Sequence, residues 1–300
     1  MHEPPGDVPD LTHLGGTIFL SAVPSSSYYQ NTPLSFQEVG ETLKAIARLH
    51  AAGWEKRDLL ERLQAATGIA GSYTLANRNP IEINRVGSSW SKYITEFSSH
   101  NPEFCSRPEI RSLGDRVQTI AEWIASNLSC TPSSPLATIQ HGDFKAMNVF
   151  LPTSPESSDG AMLIDFASTG VGFPMSDIAM HLAHAITPSN LSSSTEGEQA
   201  MLELYYRHLE SHGVKVIRSL LQRQYEMACI DYWRFMTGRF YGSQTPATYE
   251  KAKSNRNVAL INRFPDAAFA FAEKVEKVRS DISDPLRSSL LTAASLIASL

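Results

Sequence analysis

The sequence predicts an α+β fold that is mainly helical, on three observations. A capping signature, Ser35-Phe36-Gln37-Glu38, opens a segment whose apolar residues recur at helical spacing. In the middle, two short apolar runs, Val149–Leu151 and Ala161–Ile164, flank a polar turn, Pro152–Gly160, and together read as a β-hairpin with a long loop. From Ser176 onward the pattern is helical almost to the end.

Taken in order, residues 1–34 are rich in Pro, Gly and Ser and hold one strand-like run, Thr17–Val23. They are set apart as a residual strand and linker, and residues 35–300 as the main domain. The first helix carries Leu43, Ile46, Ala47 and His50 on one face and closes at Trp54. Further helices are expected around Lys56–Ala66, Ser89–Phe97 and Ile110–Ser129. Ala137–Gln140 leads into His141-Gly142-Asp143-Phe144-Lys145-Ala146-Met147-Asn148, and the hairpin follows. Breaks in the helical second half fall near Thr187–Ser194, Ser211–Gly213, Gly242–Pro246 and Ser280–Pro285.

Composition narrows the function. The net charge of −5 and the absence of a dense Lys/Arg stripe argue against nucleic acid, whose phosphates demand clustered positive charge. No apolar run is long enough to span a bilayer, and the first residues lack a signal-peptide pattern. Cys105, Cys130 and Cys229 are odd in number and widely spaced, so they suggest neither a disulfide framework nor a metal pair. A cytoplasmic protein is expected.

The hairpin has a geometric consequence. Asn148 precedes its outgoing strand and Asp165 follows its returning one, so both emerge at the same mouth, with Asp143 close by. Two carboxylates and an amide carbonyl form a hard-oxygen set suited to Mg²⁺, whose remaining positions go to water and substrate phosphates. Phosphoryl transfer needs such a set, because its catalysis is mostly positioning and charge neutralisation.

His-x-Asp-x-Lys-x-x-Asn followed at hairpin distance by Asp-Phe resembles the catalytic loop and metal motif of the protein-kinase-like superfamily. The nearer resemblance is to the aminoglycoside phosphotransferase and choline kinase-like branch, with its ecdysteroid-kinase-like members. LKAIARLHAAGW (Leu43–Trp54), IDFASTGVGFPMSD (Ile164–Asp177) and GSYTLANRNP (Gly71–Pro80) strengthen it. The resemblance implies a protein-kinase-like fold in which residues 35–300 form the mainly helical C-terminal lobe. It implies an ATP-dependent transfer of the γ-phosphoryl group to a hydroxyl of a small molecule. Asp143 would be the base, Asn148 and Asp165 would hold the magnesium ions, and Lys145 would face the transferred phosphate. His141 would shape the loop, and Asp177 would tie it through backbone amides or start the following helix.

Other residues have plainer readings. His181 and His184 lie at i, i+3 on one helix and are expected to be core residues rather than metal ligands, as is His50. The aromatic stripe of Tyr225–Tyr241 reads as core, with part of it available as a wall of the acceptor pocket.

Related kinases begin with a small lobe bearing a glycine-rich phosphate loop and a strand lysine. Here no lysine precedes Lys44, and Gly15-Gly16 lacks a surrounding hairpin. The small lobe is therefore expected to be mostly missing, and three readings stay open. The chain is an incomplete small-molecule kinase, a stand-alone lobe that binds ligands without efficient catalysis, or an enzyme with a reduced nucleotide cover. A metal-dependent phosphohydrolase using His141, Asp143 and Asp165 is the alternative from another enzyme class. Neither the acceptor nor the oligomeric state can be read from the sequence.

Overall fold

The computed structural model describes residues 21–67, 70–71, 80–154 and 160–282. Helices dominate it. The first, α1 (Phe36–Gly53), begins at the capping box read from the sequence: Ser35 N–H donates to Glu38 Oε2 at 2.7 Å, and Glu38 N–H to Ser35 Oγ at 3.3 Å. Val39, Leu43, Ile46 and His50 form its buried stripe, and the helix ends at Trp54. The amphipathic α2 (Arg57–Ala66) follows, burying Leu60.

A short α3 (Pro80–Asn84) leads to α4 (Val86–Glu96), then α5 (Pro102–Ser106), α6 (Pro108–Arg111) and α7 (Leu113–Asn127). The single helix expected at Ile110–Ser129 is thus divided at Ser112, which serves as C-cap of α6 and N-cap of α7. Trp90 and Tyr93 of α4 are fully buried, and Trp90 Nε1–H donates to the Ile110 carbonyl at 2.6 Å.

The β-structure is small. Strand β1 (Tyr28–Tyr29), β2 (Thr138–Gln140), β3 (Val149–Pro152), β4 (Met162–Leu163) and β5 (Gly170–Gly172) form two sheets. The expected hairpin is present: β3 and β4 are antiparallel, with Val149 opposite Leu163 and Phe150 opposite Met162. On its outer edge Tyr29 pairs with Leu151. The strand expected at Thr17–Val23 is not found where it is described: Ser21–Val23 is not a strand, Thr17–Leu20 lie outside the described residues, and pairing falls to Tyr28–Tyr29 instead. Of GSYTLANRNP, residues 72–79 also lie outside them.

The second sheet was not expected from the sequence: Gly170–Gly172 is a strand antiparallel to β2, with Ile139 opposite Val171. The loop 141–148 is thereby held between two sheets.

The C-terminal half is α8 (Pro174–Ala185), the short α9 (Pro188–Leu191), α10 (Glu198–Ser211), α11 (Arg218–Arg239), α12 (Pro246–Ala252) and α13 (Pro265–Ile282). Every residue of α8 is buried, so it is the axis of the lobe, packed against α11 on one side and β2 on another. Leu34 N–H donates to the Ala185 carbonyl at 2.9 Å, tying the entry of α1 to the end of α8. Trp233 meets Trp90 edge-on at 5.0 Å between ring centroids, and Tyr241 stacks on Tyr93 at 4.7 Å. The aromatic stripe of α11 is therefore core. Among the described residues no helix is long and apolar enough to cross a membrane.

Candidate active site

The loop after β2 is built around Gly142, whose φ of +84° lies in the left-handed region. A Cβ there would sit 2.0 Å from the Ser168 carbonyl oxygen and 2.8 Å from the Gly71 amide nitrogen. Glycine alone fits, because the segment after β4 closes directly over the loop. Thr169 Oγ1–H donates to the Gln140 carbonyl at 2.6 Å and secures that closure.

Beneath the loop lies Asp177, in the first turn of α8 and fully buried. Its Oδ2 accepts the His141 amide at 2.8 Å and its Oδ1 the Gly142 amide at 2.9 Å. A buried carboxylate needs several donors to offset lost hydration, and a third comes from His50 at 3.1 Å. The carboxylate only accepts, so His50 Nε2 carries the proton, and Nδ1 accepts the Tyr205 hydroxyl at 2.6 Å. Burial, and then the Asp177 charge, raise the Tyr205 phenol well above its usual range, which keeps it a donor.

His141 staples the loop to the hairpin. Its Nε2–H donates to the Ile164 carbonyl at 2.9 Å, while Nδ1 accepts the Asp143 amide at 3.3 Å. Both bonds fix the tautomer, and the Ile164 contact ends one residue before Asp165.

Asp143, Lys145 and Asn148 meet directly. Lys145 Nζ lies 2.7 Å from Asp143 Oδ2. Asn148 Nδ2 donates to the Asp143 carbonyl at 2.8 Å and to Asp143 Oδ2 at 3.1 Å. Both neighbours are acceptors, so the amide nitrogen must face them, and Asn148 Oδ1 faces the other way. A single 3₁₀ turn, Ala146–Asn148, makes this possible by bringing Asn148 back over the loop before β3 begins. Asp165 follows Ile164, whose N–H donates to the Asn148 carbonyl at 3.0 Å, so it stands at the mouth of the hairpin. Its backbone is left-handed (φ 63°, ψ 65°), and its exposed carboxylate has no hydrogen-bond partner among the described residues.

The donor set fits a hard divalent cation of the magnesium type: one exposed carboxylate and one amide oxygen, both without hydrogen-bond partners among the described residues. Among the described residues no cluster of three or more His, Cys, Asp or Glu could hold a metal alone. Any cation here would therefore take most of its ligands from water and a phosphate-bearing substrate.

Two residues that the sequence places in the core come close to this loop. Tyr232 of α11 is buried near Asp143: burial first, and then the Asp143 charge, raise its phenol. His184, one helical turn beyond His181, lies within the field of Lys145 and Arg263, and burial above all pushes it down to about 3. His181 is also neutral, pushed to about 3 by burial, and its ring stacks on Phe144 at 4.1 Å. Its Nε2 lies 2.8 Å from Thr42 Oγ1. Both histidines are core residues that pack α8 under the loop, as expected from the sequence, and the contact of His181 with Thr42 was hidden by their separation along the chain.

The sequence pattern of the ecdysteroid kinase-like family matches residues 27–217, well over half of the chain. Solved structures that resemble the chain include the choline kinase LicA from Streptococcus pneumoniae. It is 14% identical over 82% of this chain and 67% of its own, with a TM-score of 0.39. A choline kinase from Cryptosporidium parvum Iowa II is 14% identical over 88% of this chain and 73% of its own, with a TM-score of 0.41. No curated protein matches the chain.

Proposed function

Because this chain belongs to the ecdysteroid kinase-like family, we propose that it moves the γ-phosphoryl group of ATP to a hydroxyl of a small molecule. The observation that carries the reading is the joint between Asp143 and Asn148. One side chain offers a carboxylate oxygen for a proton, and the other turns an amide oxygen outward beside it.

In this reading Asp143 is the base. Lys145 and Asn148 occupy Oδ2, so Oδ1, which has no hydrogen bond among the described residues, takes the acceptor proton. Lys145 holds that carboxylate in place and brings a positive charge to the position of the transferred group. Asn148 Oδ1 and the Asp165 carboxylate would hold Mg²⁺. The ion, when bound, neutralises charge on the nucleotide phosphates. Asp177 and His141 position the loop and do not touch the reactants.

The test is transfer of radiolabelled γ-phosphate from Mg-ATP to a panel of hydroxyl-bearing small molecules, with Asp143→Asn and Asp165→Ala as controls. Transfer that falls at least a hundredfold in Asp143→Asn supports the reading. Asp165→Ala should also raise the Mg²⁺ concentration needed for half-maximal rate. Full turnover in Asp143→Asn would remove the base assignment, and phosphate release from substrate without ATP would turn the reading toward a hydrolase.

A further inference from the structure

A side chain far from the catalytic loop in sequence reaches the turn that carries Asn148. Gln30, 117 positions before Met147, donates its Nε2–H to the Met147 carbonyl at 2.5 Å, and both residues are half-buried. The contact falls on the peptide unit that joins Met147 to Asn148. That unit is planar and trans, so its carbonyl and its N–H point in opposite directions. The N–H, on Asn148, donates to the Lys145 carbonyl at 2.9 Å inside the loop. Gln30 holds the carbonyl end from outside the loop.

Two opposed bonds fix the tilt of that plane, and the tilt sets the direction in which the Asn148 side chain leaves the main chain. Support from outside matters in a 3₁₀ turn as short as Ala146–Asn148, because its internal hydrogen bonds have poor geometry. Direction matters because Asn148 does two things at once. Its Nδ2 meets Asp143 at 2.8 and 3.1 Å, and its Oδ1 is turned away from Asp143.

The surrounding fold delivers Gln30 to this place. Strand β1 ends one residue before it, with Tyr29 opposite Leu151, and Thr153 N–H donates to the Ser27 carbonyl at 2.9 Å. The Tyr29 hydroxyl and Asn31 Nδ2 both donate to Glu38 Oε1, at 3.1 and 2.9 Å. Side chains alternate along extended backbone, so with Tyr29 and Asn31 turned toward the first turn of α1, Gln30 faces the loop. The same Glu38 closes the capping box with Ser35. The start of α1 and the edge of the hairpin thus aim one amide at Met147 together.

We infer that Gln30 is a positioning residue for the metal-binding side of the site: it clamps the Met147–Asn148 peptide so that Asn148 Oδ1 is presented to the cation. Its kinetic consequence rests on the phosphotransfer reading; the clamp itself does not. Groups that orient a metal ligand from behind typically change metal affinity about 10–100-fold when they are removed.

Gln30→Met keeps the length of the side chain and removes the donor, and Gln30→His returns a neutral N–H at a similar reach. Hydrogen exchange of the full chain, followed by NMR without metal or nucleotide, reads the clamp. The Asn148 amide should exchange about fivefold faster in Gln30→Met, the equivalent of one neutral hydrogen bond, and near the wild-type rate in Gln30→His. Circular dichroism should stay unchanged in both. In the transfer assay, Gln30→Met should raise the Mg²⁺ concentration for half-maximal rate about tenfold and leave the KM for the hydroxyl acceptor unchanged. Gln30→His should restore the Mg²⁺ requirement. Unchanged exchange in folded Gln30→Met would overturn the clamp, and faster exchange with an unchanged Mg²⁺ requirement would overturn its role at the metal. A wild type that transfers no phosphate would sink the phosphotransfer reading alone, and the exchange comparison would still decide the clamp.

Discussion

Asp177 holds His141 by its main chain: the carboxylate of a buried helix residue accepts the amide of a loop residue 36 positions earlier at 2.8 Å. The same carboxylate takes Gly142 and His50, so one side chain joins α1, α8 and the loop that carries Asp143.

Asp177→Asn tests that relationship. An amide has one acceptor oxygen where the carboxylate has two, so one loop amide would face an NH₂ group. Charged hydrogen bonds contribute about 1.5–3 kcal/mol each, and a loss of that order is expected in urea unfolding. The kcat for phosphoryl transfer should fall at least tenfold with little change in the KM for ATP, since the residue positions the loop without touching nucleotide. His50→Gln should give a milder version of the same split.

The Lys145–Asp143 contact makes a different prediction. Lys145→Met removes the cation beside Oδ2 and leaves Asn148 as the remaining donor to that oxygen. Stability should change by less than about 1 kcal/mol, because the pair is only partly buried. Turnover should fall at least tenfold, because the carboxylate loses the cation that holds it in place and the transferred group loses a positive charge beside it. Steady-state kinetics and urea unfolding of the variant beside the wild type separate the two effects.

What the sequence could disclose followed from how local each signal is. The capping box at Ser35–Glu38 and the hairpin around Val149 and Leu163 are short-range chemistry, and both are visible from spacing. The spacing also singled out Asp143, Asn148 and Asp165, which lie on or beside that hairpin. Strand β5 was hidden because two of its three residues are glycines, which read as a turn. Gly172 is required there because a Cβ would sit 1.8 Å from Gln140 Oε1, a constraint that exists only once β2 lies alongside. The division at Ser112 and the contact of His50 with Tyr205 likewise depend on tertiary packing. No periodicity in one segment reports a partner 155 residues away.

Gly53→Ala examines how tightly α1 seats β2. A Cβ at this position would lie 2.5 Å from Ile139 Cγ1 and 2.7 Å from the Ile139 amide nitrogen. The second contact is with backbone, so strand β2 must shift, and overpacking of this kind costs about 1–3 kcal/mol. Because β2 runs straight into His141, the displacement should also lower kcat. Gly40→Ala is the control: its Cβ would meet only Leu204 Cδ1 at 4.0 Å, and it should be neutral or slightly stabilising.

The two histidines of α8 set a pH limit on the fold. Burial pushes both His181 and His184 from 6.5 to about 3 in the folded chain. Their folded values lie below the unfolded one, so the unfolded chain binds protons more readily as the medium is acidified. Their contribution is therefore complete above pH 6.5 and is lost progressively as the pH falls toward 3. Each contributes a slope of up to about 1.4 kcal/mol per pH unit within that window. Urea midpoints taken from pH 7 to pH 4 should fall steeply in the wild type. In His184→Gln the fall should be shallower, even if the variant starts from a lower stability at pH 7, because one titrating group has gone. A variant whose midpoints run parallel to the wild type would mean that His184 is already protonated, or already solvated, in the folded protein.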